Sequence, residues 1–258
     1  MITIEKDNIR IVNLKKNNIL SAKKLIIKNK ALILRNPSEL NLFNNYCELA
    51  LSFGKSLDYN NKPYFKFDEN SQQEIGFHTD GVSCLDEKKI PKYLFFLVKN
   101  WPSGKKGNFK ISSTSKIISK LPTNILKILR NNKLQYLNYG GTLKKFRKKI
   151  NDDDIISFQK YSMKKTNGKW TLDMFLPLKK MHKDLKWEYK MKFENLDLND
   201  SKKILHIIRK VAESKECMTE FALKKNDILV VNNQKFFHGR NKFSEKVKRS
   251  LYRIQILN

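Results

Sequence analysis

The sequence predicts a mainly β protein, a sandwich or barrel of short strands with a few helices packed on its outside. Two observations predict this fold. Short apolar runs such as 93–98 alternate with turn residues along much of the chain, as expected for buried strands. Few segments carry apolar residues at helical spacing. The 258 residues suit one large domain, and neither a linker nor a repeat divides them, so we expect a single domain over 1–258.

The first half of the chain predicts one buried strand and two helices. Ala31–Arg35 is an apolar run of the length of a short strand. Residues 38–54 follow the 3.6-residue period of an amphipathic helix that ends at a glycine. Its predicted apolar face comprises Leu40, Phe43, Cys47, Ala50 and Leu51. A shorter helix is predicted after Thr123.

The second half adds a hairpin, a helix and several strands. Asn167–Gly168 predicts the turn of a hairpin between 161–164 and 170–175, because both residues tolerate the positive φ of tight turns. A second amphipathic helix is predicted after Ser201, with Leu205 on its apolar face. Further strands are predicted at 221–223, 228–231 and 249–257.

The chain is strongly basic, with 53 Lys and Arg against 25 Asp and Glu and a formal net charge of +28. Such an excess is typical of proteins that bind nucleic acid or anionic membranes. Only eight of the 53 are arginines, however, and the lysines are scattered among Asn and Ile residues without a stacking-aromatic or recognition-helix motif. We therefore do not expect a nucleic-acid partner. The sequence leaves the oligomeric state open.

Composition excludes several other classes of protein. The 16 Phe, nine Tyr and three Trp carry too much apolar surface for a disordered chain. The three cysteines are far apart and form no CxxC pair, which argues against a disulfide framework and against a thiolate metal site. No apolar run approaches the ~18 residues that span a bilayer, and the first residues lack the apolar segment of a signal peptide. We expect a cytoplasmic protein with no membrane partner.

Catalytic chemistry is expected at two of the four histidines. His78 lies in the segment 74–81, where a strand-like run enters a glycine turn. Residues two apart in an extended chain face the same side, so His78 and Asp80 can bind one ion, and Gly76 leaves space beside them. His206 lies on the second predicted helix beside its apolar face and is predicted to be a packing or boundary residue.

A second candidate ligand, His238, lies far along the chain, after the buried strand 228–231 and a polar break. Two histidines and one carboxylate form the facial triad that binds Fe(II) and leaves its remaining positions open. Zinc is the competing metal, but zinc sites usually include a third histidine or a cysteine at local spacing, and none accompanies these residues.

The last predicted strand places two arginines on one face. That face comprises Arg249, Leu251, Arg253 and Gln255. Burying two arginines requires anionic partners, and the planar guanidinium suits a carboxylate held by two hydrogen bonds. The strand is therefore predicted to hold an anionic ligand, and an edge strand with a solvated face is the alternative.

Together these segments resemble the Fe(II)/2-oxoglutarate-dependent dioxygenases, in the branch that contains taurine dioxygenase and the clavaminate synthase-like enzymes. The resemblance rests on His78-Thr-Asp80, 91–94 before an apolar strand, 227–233, His238-Gly-Arg240 and Arg249-x-Leu-x-Arg253. It extends from about Ala31 to the end of the chain.

The resemblance implies a double-stranded β-helix, or jelly roll, with His78, Asp80 and His238 as iron ligands. It implies that Arg249 anchors the far carboxylate of 2-oxoglutarate, and that Arg253 faces the active site, where it meets an anionic substrate group in some members. With O2 as the other cosubstrate, 2-oxoglutarate would give succinate and CO2 while an unactivated C–H bond of the substrate is oxidised. Related halogenases lack the carboxylate, so Asp80 favours hydroxylation, desaturation or cyclisation.

The sequence departs from the family at one cosubstrate contact. Many relatives carry a Gly-Gly-x-Thr segment whose threonine helps to hold the carboxylate of 2-oxoglutarate. The corresponding segment here is Lys106-Gly107-Asn108-Phe109, which has no threonine. We expect Asn108, or a hydroxyl from 112–114, to take its place.

The substrate is expected to be a small amino-acid-like or carboxylate-bearing molecule, since these are the family's commonest substrates. Glu74 shares the predicted strand face with His78 and Asp80, so it is a candidate to bind an amine or guanidinium of the substrate; a solvated glutamate is the alternative. Two other functions stay open. One is a basic jelly-roll protein that binds nucleic acid or another polyanion, and the other is a hydroxylase that acts on a macromolecule.

Overall fold

The computed structural model describes residues 2–6, 8–14, 22–26, 31–35, 41–69, 74–101, 107–137, 156–166, 168–176, 190–242 and 249–257. Within these residues most strands belong to two sheets that face each other, with helices and smaller sheets outside them.

The larger sheet has seven strands. They lie in the order β1 (Ile2–Lys6), β2 (Ile9–Asn13), β3 (Ala31–Arg35), β14 (Ile228–Asn232), β6 (Pro91–Asn100), β16 (Arg249–Leu257) and β4 (Phe65–Glu69). Neighbouring strands are antiparallel except β2 and β3, which run parallel. The first and last thirds of the chain therefore meet in one sheet.

The smaller sheet has four antiparallel strands, and its inner side packs on the larger sheet. The order is β13 (Met218–Phe221), β7 (Phe109–Ser113), β15 (Phe236–Arg240) and β5 (Ile75–His78). Alternate residues of both sheets fill the shared core, such as Leu94 and Phe96 of β6 with Phe109 and Ile111 of β7. The predicted jelly roll is confirmed.

Helices cover the outer sides of both sheets. α2 (Leu42–Leu51) packs on the larger sheet, and the other main helices build a second apolar core behind the smaller one. These are α3 (Thr114–Lys120), α4 (Thr123–Asn131) and α5 (Leu198–Ala212). None of the helices in the described ranges is long and apolar enough to cross a membrane.

The remaining described elements are small. They are the short helix α1 (Lys23–Ile26), a 3-10 turn at Glu87–Lys89, a sheet of β12 (Lys190–Phe193), β8 (Lys133–Leu137) and β9 (Ile156–Tyr161), and the hairpin of β10 (Met163–Thr166) and β11 (Lys169–Leu172). The hairpin was expected from its Asn-Gly turn, and Gly168 adopts a φ of 76°. Asn167 lies outside the described residues.

The first amphipathic helix is present and its predicted apolar face is confirmed in part, because Ala50 is buried and Phe43 and Cys47 pack against the core. α2 buries Leu42, Tyr46 and Leu49, whereas Leu51 is 42% exposed. Tyr46 can face the core because its hydroxyl donates a hydrogen bond to the carbonyl oxygen of Phe95 at 2.9 Å. The apolar pattern therefore predicted part of the buried face and missed Tyr46; Leu40 lies outside the described residues.

The second amphipathic helix begins earlier than predicted. α5 starts at Leu198, before Ser201, because the side chain of Asp197 accepts a hydrogen bond from the backbone N–H of Asp200 and caps the helix. Its apolar face is as predicted, with Leu205 almost fully buried.

One irregularity in the smaller sheet decides which side chains reach its inner side. β15 pairs with β5 so that His238 lies opposite His78 but Arg240 lies opposite Ile75. Two residues of β5 therefore lie opposite a single residue of β15, which is a β-bulge. Because of the bulge, Ile75 and His78 both face the inner side, whereas Phe77 packs in the outer, helical core.

The residue opposite the bulge, Gly239, has no room for a side chain. A Cβ there would lie 2.7 Å from the carbonyl oxygen of Ile75 and 3.2 Å from that of Gly76. We expect Gly239→Ala to push β5 away from β15 and to lower the free energy of unfolding by about 1–3 kcal/mol, the usual cost of overpacking. Urea denaturation measures the loss, and hydrogen exchange of the β5 amides should accelerate.

Gly168→Ala is the control for this substitution. No atom lies within 4 Å of a Cβ at Gly168, so that variant strains only its own positive φ. It should leave hydrogen exchange in β5 unchanged. Unchanged exchange in Gly239→Ala as well would contradict the steric argument.

Candidate metal centre

Three possible metal ligands converge on the inner side of the smaller sheet. His78 ends β5, and His238 lies opposite it on β15 with the ring centroids 4.2 Å apart. Asp80 follows in the turn after β5, and its Oδ1 lies 3.5 Å from Nε2 of each histidine. The three ligand atoms lie within 4.8 Å of one another, and the described residues contain no second such group.

The separations and the donor types fit one small cation. Ligands about 2.1 Å from an ion in neighbouring octahedral positions lie about 3 Å apart, close to the separations here. Nδ1 of His78 lies 2.9 Å from the carbonyl oxygen of Gly76. Because a carbonyl only accepts, Nδ1 carries the proton, and Nε2 keeps its lone pair toward the centre.

The protonation states of the other two ligands also favour a cation. Burial would raise the pKa of Asp80, but the charge of the Arg253 guanidinium and the two neighbouring imidazoles outweigh it, so its pKa lies well below the usual range. Burial, with the nearby His78, lowers the pKa of His238 to about 4. At neutral pH the centre therefore offers a carboxylate and a neutral imidazole.

The turn that carries Asp80 is fixed by side chains from distant segments. Asn233 accepts a hydrogen bond from the backbone N–H of Asp80 at 2.8 Å and donates to its carbonyl oxygen at 3.0 Å. Thr79, between the two ligands of this segment, donates its hydroxyl to the buried carboxylate of Asp173 at 2.7 Å. The backbone of the turn is thereby held on both sides.

The second oxygen of the Asp80 carboxylate is bound by two residues of β16. Arg253 donates to Oδ2 at 2.9 Å and Gln255 donates to the same atom at 2.6 Å. Tyr59 in turn donates its hydroxyl to Oε1 of Gln255. Oδ1 faces the histidines while Oδ2 is occupied by protein donors.

A cavity of about 70 Å³ opens beside the two histidines, and three arginines line it. Arg249 is 6% exposed, and its guanidinium lies 4.7 Å from the ring centre of Trp101. Arg253 lies over the ring of Phe67 at the same distance. The lining residues are Phe67, Ile75, His78, Phe96, Phe109, His238, Gly239, Arg240, Arg249, Leu251 and Arg253. Such a lining suits an anionic ligand.

Glu74 does not share the face of the ligands, so that part of the sequence prediction is wrong. Its carboxylate is paired with Nζ of Lys110 at 2.5 Å, and Lys110 lies over the ring of Phe77 on the outer side of the sheet. The alternation of side chains along a regular strand predicted the inner side for Glu74. The bulge between Ile75 and His78 adds one residue to β5 and so reverses that assignment. Glu74 is absent from the cavity lining.

Asn108 is also absent from the cavity lining. Its amide donates to the carboxylate of Glu220 on β13 at 2.8 Å. The alternative hydroxyls of 112–114 are engaged elsewhere: Ser112 donates to the carbonyl oxygen of Ala212, Ser113 caps α3, and Thr114 donates to that of Lys235. None of these side chains lines the cavity, whereas Arg240 lines it together with the predicted anchor Arg249.

Sequence reasoning missed three residues around Asp80. Asn233 and Tyr59 act through contacts between distant segments, which no local pattern reveals. Gln255 had a usable signal, because it shares the predicted face of β16 with Arg249 and Arg253. A buried glutamine needs a hydrogen-bond partner.

Comparison with solved structures identifies the same fold in several oxygenases. PvcB from Pseudomonas aeruginosa superposes with a TM-score of 0.70 and 14% sequence identity, over 97% of this chain and 86% of that one. AAD-2 in complex with Mn(II) and N-oxalylglycine gives 0.69 and 11%, over 100% and 98%. A taurine dioxygenase from Burkholderia xenovorans gives 0.67 and 11%, over 98% and 87%.

Comparison of the sequence with curated proteins finds no match. The sequence model of the taurine catabolism dioxygenase TauD, TfdA family matches residues 44–255, which include the three candidate ligands and both arginines of β16. The chain belongs to the TauD/TfdA family and is an Fe(II)- and 2-oxoglutarate-dependent dioxygenase.

Proposed function

We propose that this dioxygenase oxidises an unactivated C–H bond of a small amino-acid-like or carboxylate-bearing substrate, by hydroxylation, desaturation or cyclisation, with release of succinate and CO2. The proposal assigns the iron to His78, Asp80 and His238 and treats 1–258 as a single oxygenase domain. The observation that carries it is the convergence of the three ligand atoms beside a cavity lined by arginines.

Different residues have different roles in the proposed reaction. Iron, when bound, would supply the activation of O2, and His78, Asp80 and His238 would hold it. Arg249 binds the far carboxylate of 2-oxoglutarate, supported by its place in the cavity and by the stacked Trp101 that orients its guanidinium. Phe96 and Phe109 line the same cavity and exclude water from the reaction.

Charge supports an anionic substrate. Arg253 lines the cavity next to Asp80, so it can meet a substrate carboxylate while one of its N–H groups stays on Oδ2. Arg240 adds a third guanidinium to the lining. The pairing of Glu74 with Lys110 removes the argument for a substrate amine at that position.

Anaerobic titration with Fe(II) and 2-oxoglutarate tests the metal assignment. The wild-type protein should develop the weak visible charge-transfer band that requires both additions. His78→Ala and His238→Ala should each lose the band and retain little iron, because two ligands hold labile Fe(II) poorly.

His206→Ala is the control for these variants, since His206 lies on the exposed side of α5 and should not affect iron. Iron content measured after desalting distinguishes the variants. Full iron retention by His238→Ala would remove that residue from the centre.

The role of Arg249 is tested by Arg249→Leu. We expect this variant to keep its iron but to raise the KM for 2-oxoglutarate about 100-fold, since a charge-assisted pair contributes about 2–3 kcal/mol. Succinate release measures the effect.

Arg130→Leu is the matched control, because Arg130 also stacks on a tryptophan, Trp170, at 4.8 Å but lies outside the cavity. Its KM should equal that of the wild type. An unchanged KM in Arg249→Leu would assign the cosubstrate to another residue.

A polyanion-binding protein is the alternative suggested by the +28 charge. Such binding would weaken steeply with salt, because each neutralised phosphate releases counterions. We expect no complex with duplex or single-stranded DNA at physiological salt, and the same iron band with and without DNA. A tight, salt-sensitive complex that also changes succinate release would favour a macromolecular substrate.

A further inference from the structure

The carboxylate of Asp80 has two oxygens with different surroundings. Oδ1 lies equally far from the two histidine Nε2 atoms, at 3.5 Å. Oδ2 accepts from Gln255 at 2.6 Å and from Arg253 at 2.9 Å. The whole group is buried, with Asp80 7% and Gln255 5% exposed. The direction of the carboxylate is therefore set by what binds Oδ2.

The hydrogen bonds around Gln255 can run in only one direction. An ionised carboxylate accepts and does not donate, so Nε2 of Gln255 must face Asp80 and Oε1 must face away. Tyr59 donates its hydroxyl to that Oε1. Burial raises the pKa of Tyr59, so the hydroxyl keeps the proton that it donates.

The segment that carries Tyr59 is tied to the backbone of Gln255. The N–H of Leu57 donates to the carbonyl oxygen of Gln255 at 2.8 Å, and Ser56 forms a bridge with Ile256. Both the backbone and the side chain of Gln255 are thus fixed by the same loop. A side chain held in this way loses little freedom when it binds Asp80.

A neutral amide, that of Gln255, suits the position at Oδ2 of Asp80 for an electrostatic reason. Arg253 already offsets the single negative charge of Asp80. A second cation on Oδ2 would oppose a metal ion at Oδ1, whereas an amide gives direction without adding charge.

We propose that Gln255, oriented by Tyr59, is a positioning residue that holds Oδ2 of Asp80 and so presents Oδ1 alone to the metal. This inference rests on the proposed iron centre. It goes beyond that centre because it assigns two residues outside the ligand set, one of them in a loop far from both metal motifs.

Metal affinity measured without cosubstrate tests the inference. Co(II) is added to the metal-free protein, and binding is followed by its visible absorption. Gln255→Leu should weaken Co(II) binding about tenfold, within the range found when partners of metal ligands are lost, and should change the Co(II) spectrum. Tyr59→Phe should weaken it less, and the double variant should be no weaker than Gln255→Leu.

Two controls separate positioning from a loss of stability. Gln135→Leu removes another buried glutamine amide, in the sheet of β12, β8 and β9, and should leave Co(II) affinity and spectrum unchanged. Gln255→Met keeps the chain length of glutamine without its donor. It repeats the test if Gln255→Leu unfolds.

The outcomes also separate this inference from the proposed function. Wild-type Co(II) affinity in Gln255→Leu or Gln255→Met, with binding lost in His238→Ala, would overturn the positioning role and leave the metal centre intact. Wild-type affinity in His238→Ala would overturn the centre itself. Additive losses in the Tyr59→Phe/Gln255→Leu pair would show that Tyr59 does not act through Gln255.

Discussion

A buried carboxylate that stays ionised is the interaction on which the centre depends. Burial alone would raise the pKa of Asp80, and a neutral acid would neither attract a cation nor accept two hydrogen bonds at one oxygen. Arg253 reverses that effect from β16, the strand that also carries Arg249. The second arginine of the Arg-x-Leu-x-Arg segment therefore keeps the carboxylate of the proposed ligand Asp80 ionised, whatever it contributes to substrate binding.

The two histidines meet because of strand register. His78 and His238 are paired residues on neighbouring strands, and a slip of one residue would turn His238 to the outer, helical side. The bulge permits both His78 and Ile75 to face inward, and Gly239 permits the bulge because any side chain there would meet the β5 backbone. The glycine after the distal histidine is thus a requirement of sheet geometry.

Much of the site follows from sequence, and the exceptions have identifiable causes. Alternation along an unbroken strand predicted the common face of Arg249 and Arg253 on β16. The same alternation gave the wrong face for Glu74, because the bulge inserts one extra residue into β5 and the local sequence does not reveal the bulge. Asn108 was predicted by counting from a family motif, which gives a position along the chain but not which way its side chain points. The contact of Tyr59 with Gln255 could not be predicted from the sequence, because it forms only when the loop of Tyr59 packs on the last strand.

The basic composition and the charge of the cavity have different origins. The chain uses 45 lysines and eight arginines, so residues drawn in that proportion would line a cavity mainly with lysine. The described lining instead contains three arginines and no lysine. Arginine offers a planar fork that binds carboxylates by two hydrogen bonds and stacks on aromatic rings, as Arg249 does on Trp101 and Arg253 on Phe67. Arginine is rare in this chain but frequent in the cavity lining, where its planar shape suits a bound carboxylate. The cavity, and not the overall positive charge, is therefore the feature that indicates an anionic small molecule.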